Sequence, residues 1–342
     1  MSSRTLPVRP DLDQLRRQAK DLHRAAAAGE PDARARISVV SPEISLHTAQ
    51  LALAREYGFA SWPRLHSEVK RLRLIADGDV DGFASLVAAD PALATDGIRF
   101  PDSDTTLPAL QYIGIGLLHG WWNHHRPGDL TRVLLAQGVS TNGDGESPLI
   151  TAASHGEPEM VRVLIDAGAD LEATGPAAPG SGTALAHAVH YGIVPAVDIL
   201  VGAGAVVHDL VEAAGAGDID HYGLADVTHE ILVGALRAAA VCERLTVIDQ
   251  ILDTGLDVNS EFRTLTEPGG GTALHCAAWE GKDASVAHLL TRGADPNRRV
   301  EGVDPIRNAT PLAWCRHRSG VGHGGNHTQV EAILEPITNS AS

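Results

Sequence analysis

The chain has 342 residues, 44% of them hydrophobic and 20% charged, so it can bury a sizeable core and a disordered protein is excluded. Its formal charge of −16 repels phosphate backbones, and no nucleic-acid partner is expected. Aromatic residues make up only 4%, while Ala, Leu and Gly abound, which suits small side chains on closely stacked helices joined by tight turns and argues against large sheets.

The N-terminal stretch MSSRTLPVRPDLDQL has no apolar core of a signal peptide. Residues 1–71 read as a helical extension, with helices expected over 11–29 and 46–73. Residues 1–73 carry 13 Lys plus Arg against 8 Asp plus Glu, and residues 74–342 carry 14 against 35. A mildly basic piece thus precedes an acidic body, and its plainest reading is a docked helix pair. Tyr57, Phe59 and Trp62 are expected to form its core.

From residue 72 to 336 the chain repeats itself. Residues 147–170 read SPLITAASHGEPEMVRVLIDAGAD, residues 183–204 read TALAHAVHYGIVPAVDILVGAG, and residues 271–295 read GTALHCAAWEGKDASVAHLLTRGAD. In each, Thr or Ser opens a first helix, a Gly at 156, 192 or 281 ends it, and a second amphipathic helix closes at Gly168, Gly204 or Gly293. Weaker copies lie over 72–95, 130–138, 245–255 and 326–335, giving seven to eight expected units. The spacing fails over 205–235, where a first helix at 208–214 is followed by an irregular connection and a long helix from about 228 to 242. Long fingers are expected at 172–182, which is Pro- and Gly-rich, and at 260–271 and 298–309, which each add extra residues, and residues 337–342 read as a disordered tail.

Thr272-Ala273-Leu274-His275-Cys276-Ala277 and Thr310-Pro311-Leu312 resemble the T-P-L-H-x-A signature of the ankyrin repeat. The whole pattern, with Ala52 to Pro63 reading ALAREYGFASWP ahead of the array, is similar to bacterial ankyrin-repeat proteins of the actinobacterial kind, a resemblance that carries no established activity. It implies an all-α ankyrin-repeat solenoid capped by an N-terminal helical extension, which covers the exposed apolar end of the stack. In ankyrin scaffolds the two residues before the first-helix glycine face the concave groove. The resemblance therefore places Trp121, His124, His125, His155, His187, His190, Tyr191, Trp279, Glu280, Trp314, His317 and Arg318 on or beside that groove, and the irregular centre adds His221 and Tyr222.

Three readings of the histidine stripe stay open: a polar contact surface, imidazoles that ligate metal or transfer protons, and buried structural hydrogen-bonding groups. His275 belongs to the last class. The run from Cys315 to His327 has metal-ligand chemistry without a zinc spacing, and its glycines suit a loop. No Walker A, H-E-x-x-H or G-x-S-x-G sequence occurs, and Gly114 to Gly120 lacks the spacing of a dinucleotide loop. No cofactor or metal is expected. Cys242, Cys276 and Cys315 are far apart with no C-x-x-C pair, which fits a reducing cytoplasm. No stretch approaches the ~18 apolar residues of a membrane span.

These features point to a non-enzymatic recognition protein that binds a protein or peptide through the concave face and fingers. The alternative is a small-molecule binder or enzyme with a His/Trp-rich pocket in the groove near the irregular central repeats, since Trp121, Trp122, Tyr191, Trp279 and Trp314 cluster aromatics in a chain poor in them.

Overall fold

The structure is a computed structural model that describes residues 4–101, 103, 105–143, 147–175, 182–262, 270–300, 307–319 and 325–338. The centres of the three long fingers, the stretch 320–324 and the tail beyond 338 lie outside the described residues. Contacts divide the chain into two units, 1–140 and 141–342.

The first unit opens with α1 (Leu12–Ala27), whose N-cap Asp11 accepts from the Asp13 and Gln14 amides and whose buried stripe is Leu15, Ala19, Leu22 and Ala26. A helix not foreseen from the sequence, α2 (Pro31–Ser38), follows with Pro31 in its first turn. The segment expected to be helical over 46–73 is two helices, α3 (Leu46–Glu56) and α4 (Trp62–Asp77). Gly58, at φ +81, breaks the run, and Ser61 caps the second helix on the Arg64 amide. Leu15, Ala19, Leu53, Ala54, Leu65 and Val69 form one core cluster, with Tyr57, Phe59 and Trp62 packed against it. Leu22, Ala26, Ala33, Ile37, Ala49 and Ala52 form another.

Next come α5 (Val80–Ala89), α6 (Ala92–Thr95) and a short antiparallel ribbon of β1 (Ile98–Arg99) and β2 (Thr106–Leu107), registered Ile98 to Leu107 and Arg99 to Thr106. Every residue of α7 (Ala109–Ile115) is buried, and α8 (Pro127–Ala136) packs against it. Buried Arg71 ties this region together: it pairs with Glu68 at 2.7 Å and donates to the carbonyls of Leu93, Asp96 and Gly97. With both terminal nitrogens bonded and only Nε without a partner, this buried cation fixes the chain after α6.

The second unit is built from pairs of short helices, a first and a second, joined by a tight turn. The pairs are α9 (Pro148–Ser154) with α10 (Pro158–Asp166), then α11 (Ala184–His190) with α12 (Val194–Gly202). α13 (Leu210–Ala216) is followed by a single 3-10 turn, Leu224–Asp226. α14 (His229–Val241) with α15 (Leu245–Leu252), α16 (Ala273–Trp279) with α17 (Asp283–Thr291), and α18 (Pro311–Arg318) with α19 (His327–Leu334) complete it. A ribbon of β3 (Glu261–Phe262) and β4 (Gly271–Thr272) leads into α16.

Ser147, Thr183, Thr272 and Thr310 cap α9, α11, α16 and α18 with their hydroxyls, which is why Ser or Thr opens those units, whereas Asp209 caps α13 and Thr228 makes no side-chain cap bond to α14. First helices stack on first helices, α9 on α11, α14 on α16 and α16 on α18, and second helices stack likewise, α10 on α12 and α17 on α19. Repetition of one cap and one stop keeps successive helices in register.

The irregular centre is an inserted helix. α13 packs along α14, and α11 touches both. Gly215 lets α13 approach closely, because a side chain there would collide with Val189 of α11. The first-helix stop after α14 is Glu243, at φ +55, where α9, α11 and α16 are followed by Gly156, Gly192 and Gly281.

Candidate recognition surface

The shared register of the first helices decides which predicted residues are exposed. The fourth residue of α9, α11, α16 and α18 is Thr151, His187, Cys276 and Trp314, and all four are buried. The side chain at that position packs between neighbouring first helices. His187 and Trp314, expected on the groove, are therefore core residues, and Trp314 packs with Val300, Trp279 and His275.

His187 shows what burial does to an imidazole. Ser154 Oγ donates to the Ile150 carbonyl at 2.7 Å and lies 2.9 Å from His187 Nδ1. The one hydroxyl proton being spent, Nδ1 carries the ring proton and donates to Ser154, while the buried Nε2 has no partner. Burial, aided by His190 and His155, pushes the imidazole down to about 4. His275, bonded to the Thr272 hydroxyl at 2.8 Å and the Ala309 carbonyl at 3.2 Å, is lowered by burial to about 4 as well. It is the structural histidine its signature implied.

The ends of the first helices are different. His155, the C-cap of α9, bonds the Thr151 carbonyl at 2.8 Å. His190 and Tyr191 end α11 with their rings 4.8 Å apart, edge to face. Trp279 ends α16 half-buried, with His317 of α18 at 5.9 Å and the Arg318 guanidinium over its ring at 5.1 Å. Glu280, beside it, has a carboxyl pushed up by burial and pulled back by Arg318, Lys282 and Arg237.

Two cations that sequence reasoning missed link these groups. Arg237 of α14 donates to the His190 carbonyl at 2.9 Å and lies 5.2 Å from the Phe262 ring. Lys282 donates to the Gly192 carbonyl at 2.8 Å. Both sit at the carbonyl end of α11, where cations are favoured. A signal for Arg237 did exist, since it is the lone charge in the apolar run Leu232 to Cys242.

Five predicted residues stand apart. His221 is exposed and Tyr222 half-buried in the connection after α13, with Tyr222 near Asp209 and Glu212. Trp121, His124 and His125 belong to the first unit, in the connection between α7 and α8 rather than on a first helix. The stop there is Gly120, at φ +66. His124 stacks on Trp122 and bonds the Ile75 carbonyl at 2.7 Å, Trp121 stacks on His119, and His125 is exposed.

Among the described residues no group of three or more His, Cys, Asp or Glu is arranged to hold a metal ion. The three cysteines are buried, and burial pushes the thiols of Cys242 and Cys315 up to about 11, which makes them poor nucleophiles. A depression of about 670 Å³ lies along the turns, lined by Gly156, Gly192, Asp198, Glu243 and Lys282 among others, and takes no wall from residues 208–242. No described helix is long and apolar enough to cross a membrane.

A family model described as ankyrin repeats (3 copies) matches residues 122–210, and one described as ankyrin repeat matches residues 269–300. No curated protein matches the chain. Among solved structures, the human ASB11 ankyrin repeat domain is similar at 21% identity over 68% of this chain and 99% of its own, with a TM-score of 0.29. The pairs α14 with α15 and α18 with α19 follow the same pattern outside the matched segments. The chain carries ankyrin repeats, and its fold is an all-α ankyrin-repeat solenoid.

Proposed function

We propose that the protein is a non-enzymatic, cytoplasmic recognition module that docks a protein or peptide on the first-helix ends of its second unit. Ankyrin repeats generally mediate protein–protein interaction. The observation that carries the reading is the half-buried indole of Trp279 between His317 and Arg318, with Arg237 and Lys282 close to Glu280. Tryptophan and arginine are the side chains on which interface energy concentrates. Cations gathered on the face of a chain with charge −16 favour a partner segment that is acidic and bears an apolar anchor. The proposed contact residues are His155, His190, Tyr191, Trp279, Glu280, His317 and Arg318, with His187 and Trp314 supporting them from the core.

The test is co-purification from the cells that express the protein, with wild type against Trp279→Ala and Arg318→Glu, each checked by circular dichroism for retained helix. A protein recovered with wild type and depleted at least tenfold with both variants supports the reading. Equal recovery with all three overturns it.

A further inference from the structure

On the recognition surface proposed above, one cation lacks an acceptor. Arg318, half-buried at the end of α18, lies over the Trp279 ring at 5.1 Å and makes no hydrogen bond or ion pair among the described residues. Its Nε is buried without a partner, so the outer Nη pair is what remains to meet one. The indole beneath is held in place by the Trp314 ring at 5.7 Å and by His327, whose Nε2 lies 2.9 Å from the Trp279 carbonyl oxygen. We propose, on the reading that this surface docks a partner, that the Nη pair of Arg318 receives one carboxylate of that partner, an Asp or Glu side chain of an acidic segment, and that Glu280 competes for it in the free protein.

The neighbouring cations are already taken. Arg237 donates to the His190 carbonyl at 2.9 Å and faces the Cys276 thiol and the Phe262 ring. Lys282 donates to the Gly192 carbonyl at 2.8 Å, Arg316 pairs with Glu331 and Glu335 of α19, and Arg244 is bonded to Asp198. Of the cations acting on Glu280, Arg318 acts most strongly, ahead of Lys282 and Arg237, yet no hydrogen bond joins the two side chains. A carboxylate presented from outside meets the paired N–H groups in the guanidinium plane, a geometry that Glu280 does not reach. The flat face of Arg318 stays on the indole, which offers the same segment an apolar contact. Glu280 repels the incoming carboxylate, and its burial keeps that repulsion from being fully screened.

The experiment titrates the full chain with two peptides, acetyl-Leu-Glu-Leu-Glu-amide and acetyl-Leu-Gln-Leu-Gln-amide, and follows the Trp279 indole N–H and the Gly281 and Ser319 amides by NMR. We expect saturable shifts at those groups with the Glu peptide, and affinity for the Gln peptide weaker by roughly tenfold or more. Arg318→Gln is expected to remove the preference for Glu over Gln, and Glu280→Gln to tighten the Glu peptide by roughly threefold or more. Equal affinity for the two peptides, or no shift at those groups with the Glu peptide, overturns the proposal. Unchanged or weaker affinity in Glu280→Gln overturns the competing role of Glu280. The two peptides are compared on the wild type, so a variant that fails to fold leaves that comparison decisive. Equal peptide affinities beside a co-purified protein lost on Trp279→Ala sink the carboxylate site alone. A Glu-selective site beside equal recovery of every co-purified protein sinks the partner reading alone.

Discussion

Ser154 and His187, on neighbouring first helices, share a hydrogen bond of 2.9 Å that fixes the imidazole as a neutral donor inside the stack. The ring is lowered to about 4 in the folded protein, against ~6.5 in an unfolded chain. Between these values the unfolded state binds the extra proton, so stability is complete above about pH 6.5 and falls as pH drops toward 4. His275 adds to the same slope. His187→Asn is expected to flatten the acid limb of a denaturation midpoint plotted against pH, by on the order of 2 kcal/mol between pH 6.5 and 4. An unchanged acid limb would show that His187 does not titrate as a buried group.

Glu157 acts at the other end of the pH range. Its carboxyl is buried, Oε1 has no partner, and burial pushes it up to about 8. With an unfolded value near 4.5, it contributes a penalty that is absent below that value and grows until pH passes about 8. Glu157→Gln is therefore expected to stabilise the protein at pH 8, by on the order of 2 kcal/mol, and to leave stability at pH 4 nearly unchanged. Chemical denaturation at the two pH values checks this, and a variant less stable at pH 8 would contradict it.

Two glycines separate backbone strain from crowding. Gly168 and Gly192 both have positive φ, at +83 and +63. A Cβ at Gly168 meets open space, whereas at Gly192 it would lie 2.5 Å from the Val241 carbonyl oxygen. Gly168→Ala is expected to cost about 1 kcal/mol from the left-handed conformation alone, and Gly192→Ala distinctly more. Thermal melts of the two variants decide the order, and equal costs would mean that α11 and α14 do not meet closely there.

The fold was legible because ankyrin units advertise their ends. Thr183 and Thr272 cap, Gly192 and Gly281 stop, and the positions between them follow. Trp279, His317 and Arg318 were legible as a cluster for the same reason. His187 and Trp314 were not separable from them in one dimension: the turn of helix that divides the fourth position from the last divides core from surface. His124 and His125 were placed on a helix because Gly120 was not recognised as the stop. Arg237 was missed because the carbonyl end of α11 that it meets lies 47 residues away in the sequence, and only tertiary packing brings the two together.

The central claim is that a partner lies on the first-helix ends of the second unit. Hydrogen exchange with mass spectrometric readout, run on the free protein and on the complex with its co-purifying partner, tests it most directly. The account predicts slowed exchange over residues 273–282 and 311–319 and around His190 and Arg237, with the second helices α10, α12 and α17 unchanged. Protection confined to those second helices, or to the first unit, would contradict it.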